Sequence, residues 1–407
     1  MPHTSCYICG NSNLTPILSF GNQPPSDAFL RPEDLPQPET SYPLDLFFCS
    51  SCTLVQLGYA VDPQILFRDY VYNSDTNDSL RINFKELVEE AVQTYGVTSE
   101  DFAVDIGSND GTLLENYLLH GIKVLGVDPS SATSIALERG IPTLVEFFTE
   151  EVAQRIKKEH GSAKIITATN VFAHVVELDS LMRGTALLLD EKGVFISESG
   201  YVVDMVEGMQ YDSIYHEHLR YYSVHSLAAL FEKYGMEIIS VVKISSHGGS
   251  LRVFAAKKGA HASDGSARAL LAQEKAKGYH DRAVYDEFAT RVAQTKEKLL
   301  SIVSSLKKSG AHIAGIGAPA KGNTLLNYCR LGPDTIEYLA EKSPLKIGRY
   351  SPGMRIPVVD ESRIFAEQPE AALLLSWNIA DLLVPKLREL GYKGVFIIPN
   401  PEPKVID

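Results

Sequence analysis

The sequence predicts an α/β protein: a Rossmann-like parallel-sheet domain, a small cysteine-rich domain before it and a smaller α/β unit after it. Three observations carry this. Four of the five cysteines form two close pairs near the N-terminus; strand-like and helical patterns alternate between about residues 71 and 258; and a second strand, Gly-rich turn and helix follow two long helical stretches. At 407 residues the chain also exceeds what one hydrophobic core usually serves.

The first region, 1–70, is rich in proline and turn residues (Pro24-Pro25, Pro32, Pro36, Pro38) and has few long periodic stretches, so it needs a staple to fold. The pairs Cys6/Cys9 and Cys49/Cys52 supply one. Two residues between cysteines let both thiolates reach one tetrahedral ion, and two pairs close a four-sulfur site with no open position, the pattern of a structural zinc. Gly10 and Ser50-Ser51 suit the tight turns required. Against this, four reduced cysteines can be small core residues, and the 39-residue loop between the pairs is longer than in simple zinc ribbons. Cys329 stands alone in an apolar-leaning segment and reads as packing. With no long apolar run and no leader segment, a cytoplasmic location without membrane contact is expected. A net charge of -13 with no Lys/Arg-rich block disfavours nucleic acid, though it leaves room for one phosphorylated ligand.

The second region, 71–260, carries apolar strand runs at Phe102–Ile106, Val124–Val127, Ile165–Ala168 and Val194–Ile196. A late pair, Glu237–Ile244 and Ser250–Ala256, turns at Gly248-Gly249, as an antiparallel edge on a mostly parallel sheet would. The third region, 261–407, opens with helical stretches Ser266–Lys277 and Arg282–Lys308, the latter stopped by Gly310. Strand–turn–helix follows over Ile313–Cys329, then strand-like runs near Ile336–Leu339, Ala372–Leu375 and Val395–Ile398.

Three segments carry chemistry. Val104-Asp105-Ile106-Gly107-Ser108-Asn109-Asp110-Gly111 follows a strand and opens a helix, its glycines allowing close backbone approach to a ligand. Asp128, 17 residues after Gly111, ends the next strand, where a carboxylate can accept from both hydroxyls of a ribose. NAD sites share this topology. Asp105, two residues before the first glycine, favours S-adenosylmethionine: a carboxylate there can hold the ammonium of a methionine moiety but would repel a pyrophosphate. NAD or a purely structural turn are the alternatives. Asn170-Val171-Phe172-Ala173-His174 follows the third strand, at the sheet edge that faces the crevice.

The second segment is Tyr211-Asp212-Ser213-Ile214-Tyr215-His216-Glu217-His218-Leu219-Arg220-Tyr221-Tyr222. It is either a solvated polar loop or an acid/base cluster: a histidine to take a proton, a tyrosine hydroxyl for a developing oxyanion and a glutamate to orient an imidazole. Its histidines are two apart, not four, so it is no zinc-protease site. The third is Gly315-Ile316-Gly317-Ala318-Pro319-Ala320-Lys321-Gly322-Asn323, whose turn amides, helix start and Lys321 suit an anion, or form a structural turn only.

In combination the paired cysteines, Asp-Ile-Gly-Ser-Asn-Asp-Gly, Tyr-His-Glu-His, Ser-His-Gly-Gly-Ser-Leu-Arg and Gly-Ala-Pro-Ala-Lys-Gly-Asn resemble the sugar-nucleotide C-methyltransferase family over essentially the whole chain. The resemblance implies a zinc-binding domain, a methyltransferase domain and a C-terminal α/β domain that helps hold the sugar nucleotide. It implies methyl transfer from S-adenosylmethionine to C-3 of a 4-keto-deoxysugar carried on dTDP. It implies His218 as general base, with Tyr215, Glu217, His174 and Tyr72 as active-site partners. Asp105, Gly107, Asn109, Gly111, Asp128, Pro129, Asn170 and Phe172 would line the cofactor site, and His247, Lys321, Asn323, Lys346 and Tyr350 the substrate site. The pattern departs at Gly200, where proline is more usual, and at Glu341, where aspartate is. Competing readings are a nicotinamide-dependent sugar-nucleotide oxidoreductase and a non-catalytic zinc-ribbon adaptor. A monomer or small homo-oligomer is expected.

Overall fold

A computed structural model describes residues 1–67 and 78–407 of the chain. Near the N-terminus β1 (Leu14–Gln23), β2 (Tyr42–Cys49) and β3 (Val55–Leu57) form an antiparallel sheet. Its strands are longer than the proline-rich sequence suggests. Register shifts between Pro16 and Leu18 and between Ser19 and Asn22 break the period-2 signal of β1, whereas β2 keeps it, with Leu44, Leu46 and Phe48 turned inward.

The central sheet is built from β4 (Phe102–Ile106), β5 (Lys123–Val127), β6 (Thr143–Leu144), β7 (Ala163–Thr169) and β8 (Leu189–Gly200), all parallel. Short β9 (Arg220–Tyr221) leaves this unit and pairs with β3 of the N-terminal sheet. β10 (Met236–Ile244) and β11 (Ser250–Lys257) complete the central sheet as the expected antiparallel edge, in the order β10-β11-β8-β7-β4-β5-β6. Burial on both faces explains why β4 reads as an unbroken apolar run apart from Asp105. The strand order reverses between β4 and β7, which opens a crevice at their carboxyl ends.

The C-terminal sheet repeats this design on a smaller scale: β12 (Ile313–Ile316), β13 (Leu339–Glu341), β14 (Val358–Asp360), β15 (Ala371–Leu374), β16 (Val395–Ile398) and β17 (Lys404–Ile406), ordered β14-β13-β12-β15-β16-β17. Only β17 runs antiparallel. The strand expected near Ile336–Leu339 starts instead at Leu339, and three-residue β14 and β17 are too short to show a period.

The three units interlock. Helix Arg282–Lys308 buries Tyr285 and Phe288 in the core shared by the first two sheets, and Leu299 and Val303 in the C-terminal core. From the N-terminal unit, Phe29 enters the C-terminal core, Leu30 bridges Tyr350, and Glu39 pairs with Arg355 at 2.9 Å. No helix among the described residues is long and apolar enough to cross a membrane.

Candidate active site

The sulfurs of Cys6, Cys9, Cys49 and Cys52 all lie within 4.8 Å of one another, with Cys6–Cys52 at 3.4 Å and Cys9–Cys49 at 3.5 Å. A tetrahedron of Zn–S bonds of about 2.3 Å has edges of about 3.8 Å, so the donor set fits zinc with little movement. Cys329 is buried elsewhere, and burial pushes its thiol up to about 12, which agrees with a packing role.

A cavity of about 1360 Å³ opens where the β4–β7 crevice, the N-terminal unit and the C-terminal unit meet. Its cofactor-side wall includes Asp105, Gly107, Asn109, Asp128, Pro129 and Asn170. Gly107 is required twice over: its φ is +73°, and a Cβ there would lie 2.2 Å from Val171 Cγ2. Asn109 and Asn170 also hold left-handed backbone, at φ 50° and 56°. Asp128 is fixed by two amides, Asn109 N to Oδ2 at 2.9 Å and Ser130 N to Oδ1 at 2.7 Å, which leaves each oxygen a lone pair for a ribose hydroxyl. Asp105, 2 % exposed, accepts from Thr167 Oγ1, and burial raises its carboxyl to about 7. A cationic ammonium beside it would reverse that shift. These residues therefore fit S-adenosylmethionine.

Gly111 and Phe172 do not reach this wall. Gly111 caps a helix at φ +81° against Ile141, and Phe172 stacks in the core with Tyr222 and Phe231 and meets Phe195 edge-on. Alternation along a tight turn explains the second: Val171 and Ala173 face the cavity, and Phe172 faces away.

The acid/base wall is formed by His174, Tyr215, Glu217 and His218. His218 Nδ1 lies 3.1 Å from the Ser213 carbonyl, which can only accept, so Nδ1 carries the proton and Nε2 presents its lone pair. The Tyr215 hydroxyl meets Nε2 at 2.9 Å, and the His174 ring stacks on His218 with centroids 4.9 Å apart. The orienting role expected of Glu217 thus belongs to the Ser213 carbonyl. Glu217 accepts from Ser26 Oγ at 3.3 Å, and burial, aided by Asp27, pushes its carboxyl up to about 8. His216 turns away to the Tyr42 carbonyl at 3.2 Å, held down near 4 by burial.

On the C-terminal side Lys321 and Lys346 line the cavity. Lys321 contacts Asn378 and lies 5.1 Å from the Trp377 ring; Lys346 donates to the Ala318 carbonyl at 2.8 Å and sits 3.7 Å from Asp27. One turn amide expected to serve an anion is already engaged: Ala318 N donates to Glu341 Oε2 at 2.7 Å. Asn323 is buried instead of lining the cavity, donating to the Ser26 carbonyl at 2.7 Å, and Tyr350 is bound into the Leu30 bridge. Tyr72 and the His247 side chain lie outside the described residues. Sequence reasoning missed Asp27, which lines the cavity from the turn after Pro24-Pro25, and Asn83 on helix Asp78–Tyr95. An acid after two prolines gives no signal of where it will point.

A family model described as C-methyltransferase C-terminal domain matches residues 245–401, one described as a zinc binding domain matches 6–67, and one described as methyltransferase domain matches 92–241. Along its full length the chain is 35% identical to C-methyltransferase NovU of Streptomyces niveus, over 100% of this chain and 97% of the relative. Among solved structures it is similar to magnesium protoporphyrin IX methyltransferase (ChlM) from Synechocystis PCC 6803 with bound SAH (14% identity, TM-score 0.36, 48% of this chain and 92% of the other). It is also similar to the PH0226 protein from Pyrococcus horikoshii OT3 (13%, TM-score 0.37, 49% and 97%).

Proposed function

The chain belongs to the C-methyltransferase family, with S-adenosylmethionine and zinc as its cofactors, and from that premise we propose that it methylates C-3 of a nucleotide-linked 4-keto-deoxysugar. The observation that carries the reading is the His218–Tyr215 pair, 2.9 Å apart, in one cavity with Asp105 and Asp128 on one side and Lys321 and Lys346 on the other. S-adenosylmethionine supplies an electrophilic methyl group on sulfur. A saturated sugar carbon becomes a nucleophile only after losing a proton, and a neighbouring keto group makes that loss feasible by taking the charge onto oxygen.

His218 Nε2 accepts the C-3 proton, and the C–H pair moves toward the 4-keto oxygen as the enolate forms. The Tyr215 hydroxyl, released from Nε2, donates to that oxygen. S-adenosylmethionine, held along Asp105 and Asp128, would supply the methyl group that the C-3 pair takes up. His174 supports the face of the imidazole, and Glu217, uncharged at neutral pH, adds a second donor in the wall. Lys321 and Lys346 offer cations to the diphosphate. Tyr72 and His247 stay in the proposal as active-site and substrate residues. A division near residues 70 and 260 is part of it as well, supported by the three separate sheets.

Labelled S-adenosylmethionine incubated with a panel of 4-keto sugar nucleotides, read by mass spectrometry, tests the substrate class; label on none of them sinks it. His218→Asn is expected to bind S-adenosylhomocysteine normally while turnover falls by at least ~100-fold.

A further inference from the structure

Arg220 places a guanidinium where charge is costly: the residue is 1 % exposed. Its Nε donates to the Tyr222 hydroxyl at 2.9 Å, and its Nη2 donates to two carbonyls of one turn, Phe172 at 3.1 Å and Val175. Its Cζ lies 4.7 Å from the centroid of the Tyr7 ring, which is itself stacked on His3 at 3.6 Å. Tyr7 sits between Cys6 and Cys9, in the knuckle that holds the metal. The knuckle backbone is tied down by Gln56, whose Oε1 accepts from Tyr7 N at 3.0 Å and whose Nε2 donates to the Ser5 carbonyl at 3.1 Å. Gln56 and Arg220 are direct partners across the β3–β9 ladder, and next to them Leu219 N donates to the Ala173 carbonyl at 3.1 Å.

We infer that Arg220 is a positioning residue that couples the seating of the zinc knuckle to the turn 170–176 carrying His174. The two carbonyls it grips stand on either side of His174, whose ring stacks on His218. A planar fork can hold both carbonyls and the Tyr222 hydroxyl at once, and the aromatic face of Tyr7 offsets part of the buried charge. A lysine ammonium is a point donor and cannot keep all three contacts. The metal site thus has a second task beyond stabilising its own sheet: it fixes Tyr7, Tyr7 fixes the guanidinium, and the guanidinium fixes the floor under the imidazole pair. The kinetic consequence rests on His218 being the base; the structural coupling does not.

The test uses the full-length zinc-loaded enzyme with histidine labelled for NMR, His174 and His218 being assigned from their single substitutions. In Arg220→Lys, with zinc content unchanged, the His174 imidazole signal is expected to move and kcat to fall by at least ~10-fold, while affinity for S-adenosylhomocysteine stays within about 2-fold. Tyr7→Leu moves the same signal, and Tyr7→Phe, which keeps the ring, restores it; this pair decides the matter if the Arg220 variant does not fold. A His174 signal that stays in place in Arg220→Lys or in zinc-retaining Tyr7→Leu overturns the inference, even if turnover falls, because Arg220 would then act elsewhere. Should His218→Asn keep its turnover, the base assignment fails, yet the imidazole signal still decides the role of Arg220.

Discussion

Two neighbouring residues in the 12-residue block have opposite parts in the proposed chemistry. The Ser213 carbonyl fixes the His218 tautomer so that Nε2 presents its lone pair, whereas burial favours the uncharged acid form of Glu217. Between about 4.5, its ordinary value, and about 8 the folded chain retains the Glu217 proton that the unfolded chain has lost. The folded state then binds more protons, so this group's contribution to stability declines as pH rises through that window and is lowest above it. Glu217→Gln should flatten that part of the pH–stability curve, by a few kcal/mol between its ends at about 1.4 kcal/mol per unit, as read by denaturant titration. It should also keep most activity at pH 7, whereas Glu217→Ala should not; equal losses in both would show that the carboxylate form is the working one. Asp105 offers a parallel test. Its carboxyl, raised to about 7 by burial, should release its proton when an ammonium arrives. Calorimetry of S-adenosylhomocysteine binding near pH 6, in buffers of different ionisation enthalpy, should register that release in wild type and lose it in Asp105→Asn.

Helix Asp78–Tyr95 brings Asn83 to the cavity and is fastened to the central sheet by a buried network. Arg252 on β11 donates to Glu198 Oε1 at 2.6 Å, to Glu90 at 3.0 Å and to Asn83 Oδ1 at 2.8 Å, while Asn83 Nδ2 donates back to Glu198 at 2.8 Å. Arg252→Met strands a buried carboxylate, so stability should fall by ~3–5 kcal/mol in denaturant titration, with weaker S-adenosylhomocysteine binding as the helix loosens. A change below about 1 kcal/mol would mean that the helix is held by its apolar face alone. Element by element, legibility in the sequence followed burial and length. β4 and β16 could be read at their ends because both faces are apolar, and helix Arg282–Lys308 because its 27 residues keep one inward stripe that Gly310 ends. β9 could not, because two residues of a polar block give no period, although that pairing helps join the N-terminal sheet to the site.

At the scale of the molecule, two doubly wound sheets turn their switch points toward one cavity, and the N-terminal unit closes it by sending Asp27 inward and receiving β9 in return. The four cysteines, which cluster, and Asp105 and Asp128, which line the cavity, were legible from local spacing, whereas His218 was singled out only by the family resemblance. The contribution of Asp27, the withdrawal of Phe172 and Asn323, and the change of partner for His218 were not, since each depends on contacts between segments far apart in the chain. On the proposed mechanism, this arrangement removes a proton from carbon before a methyl group is moved. The most direct test incubates the enzyme with a 4-keto sugar nucleotide in deuterated water, with S-adenosylhomocysteine replacing the methyl donor, and follows the C-3 position by NMR. Wild type is expected to exchange the C-3 hydrogen for deuterium and His218→Asn to leave it in place. Methylation of the same substrate by an enzyme that never exchanges that hydrogen, or equal exchange by both proteins, would contradict it.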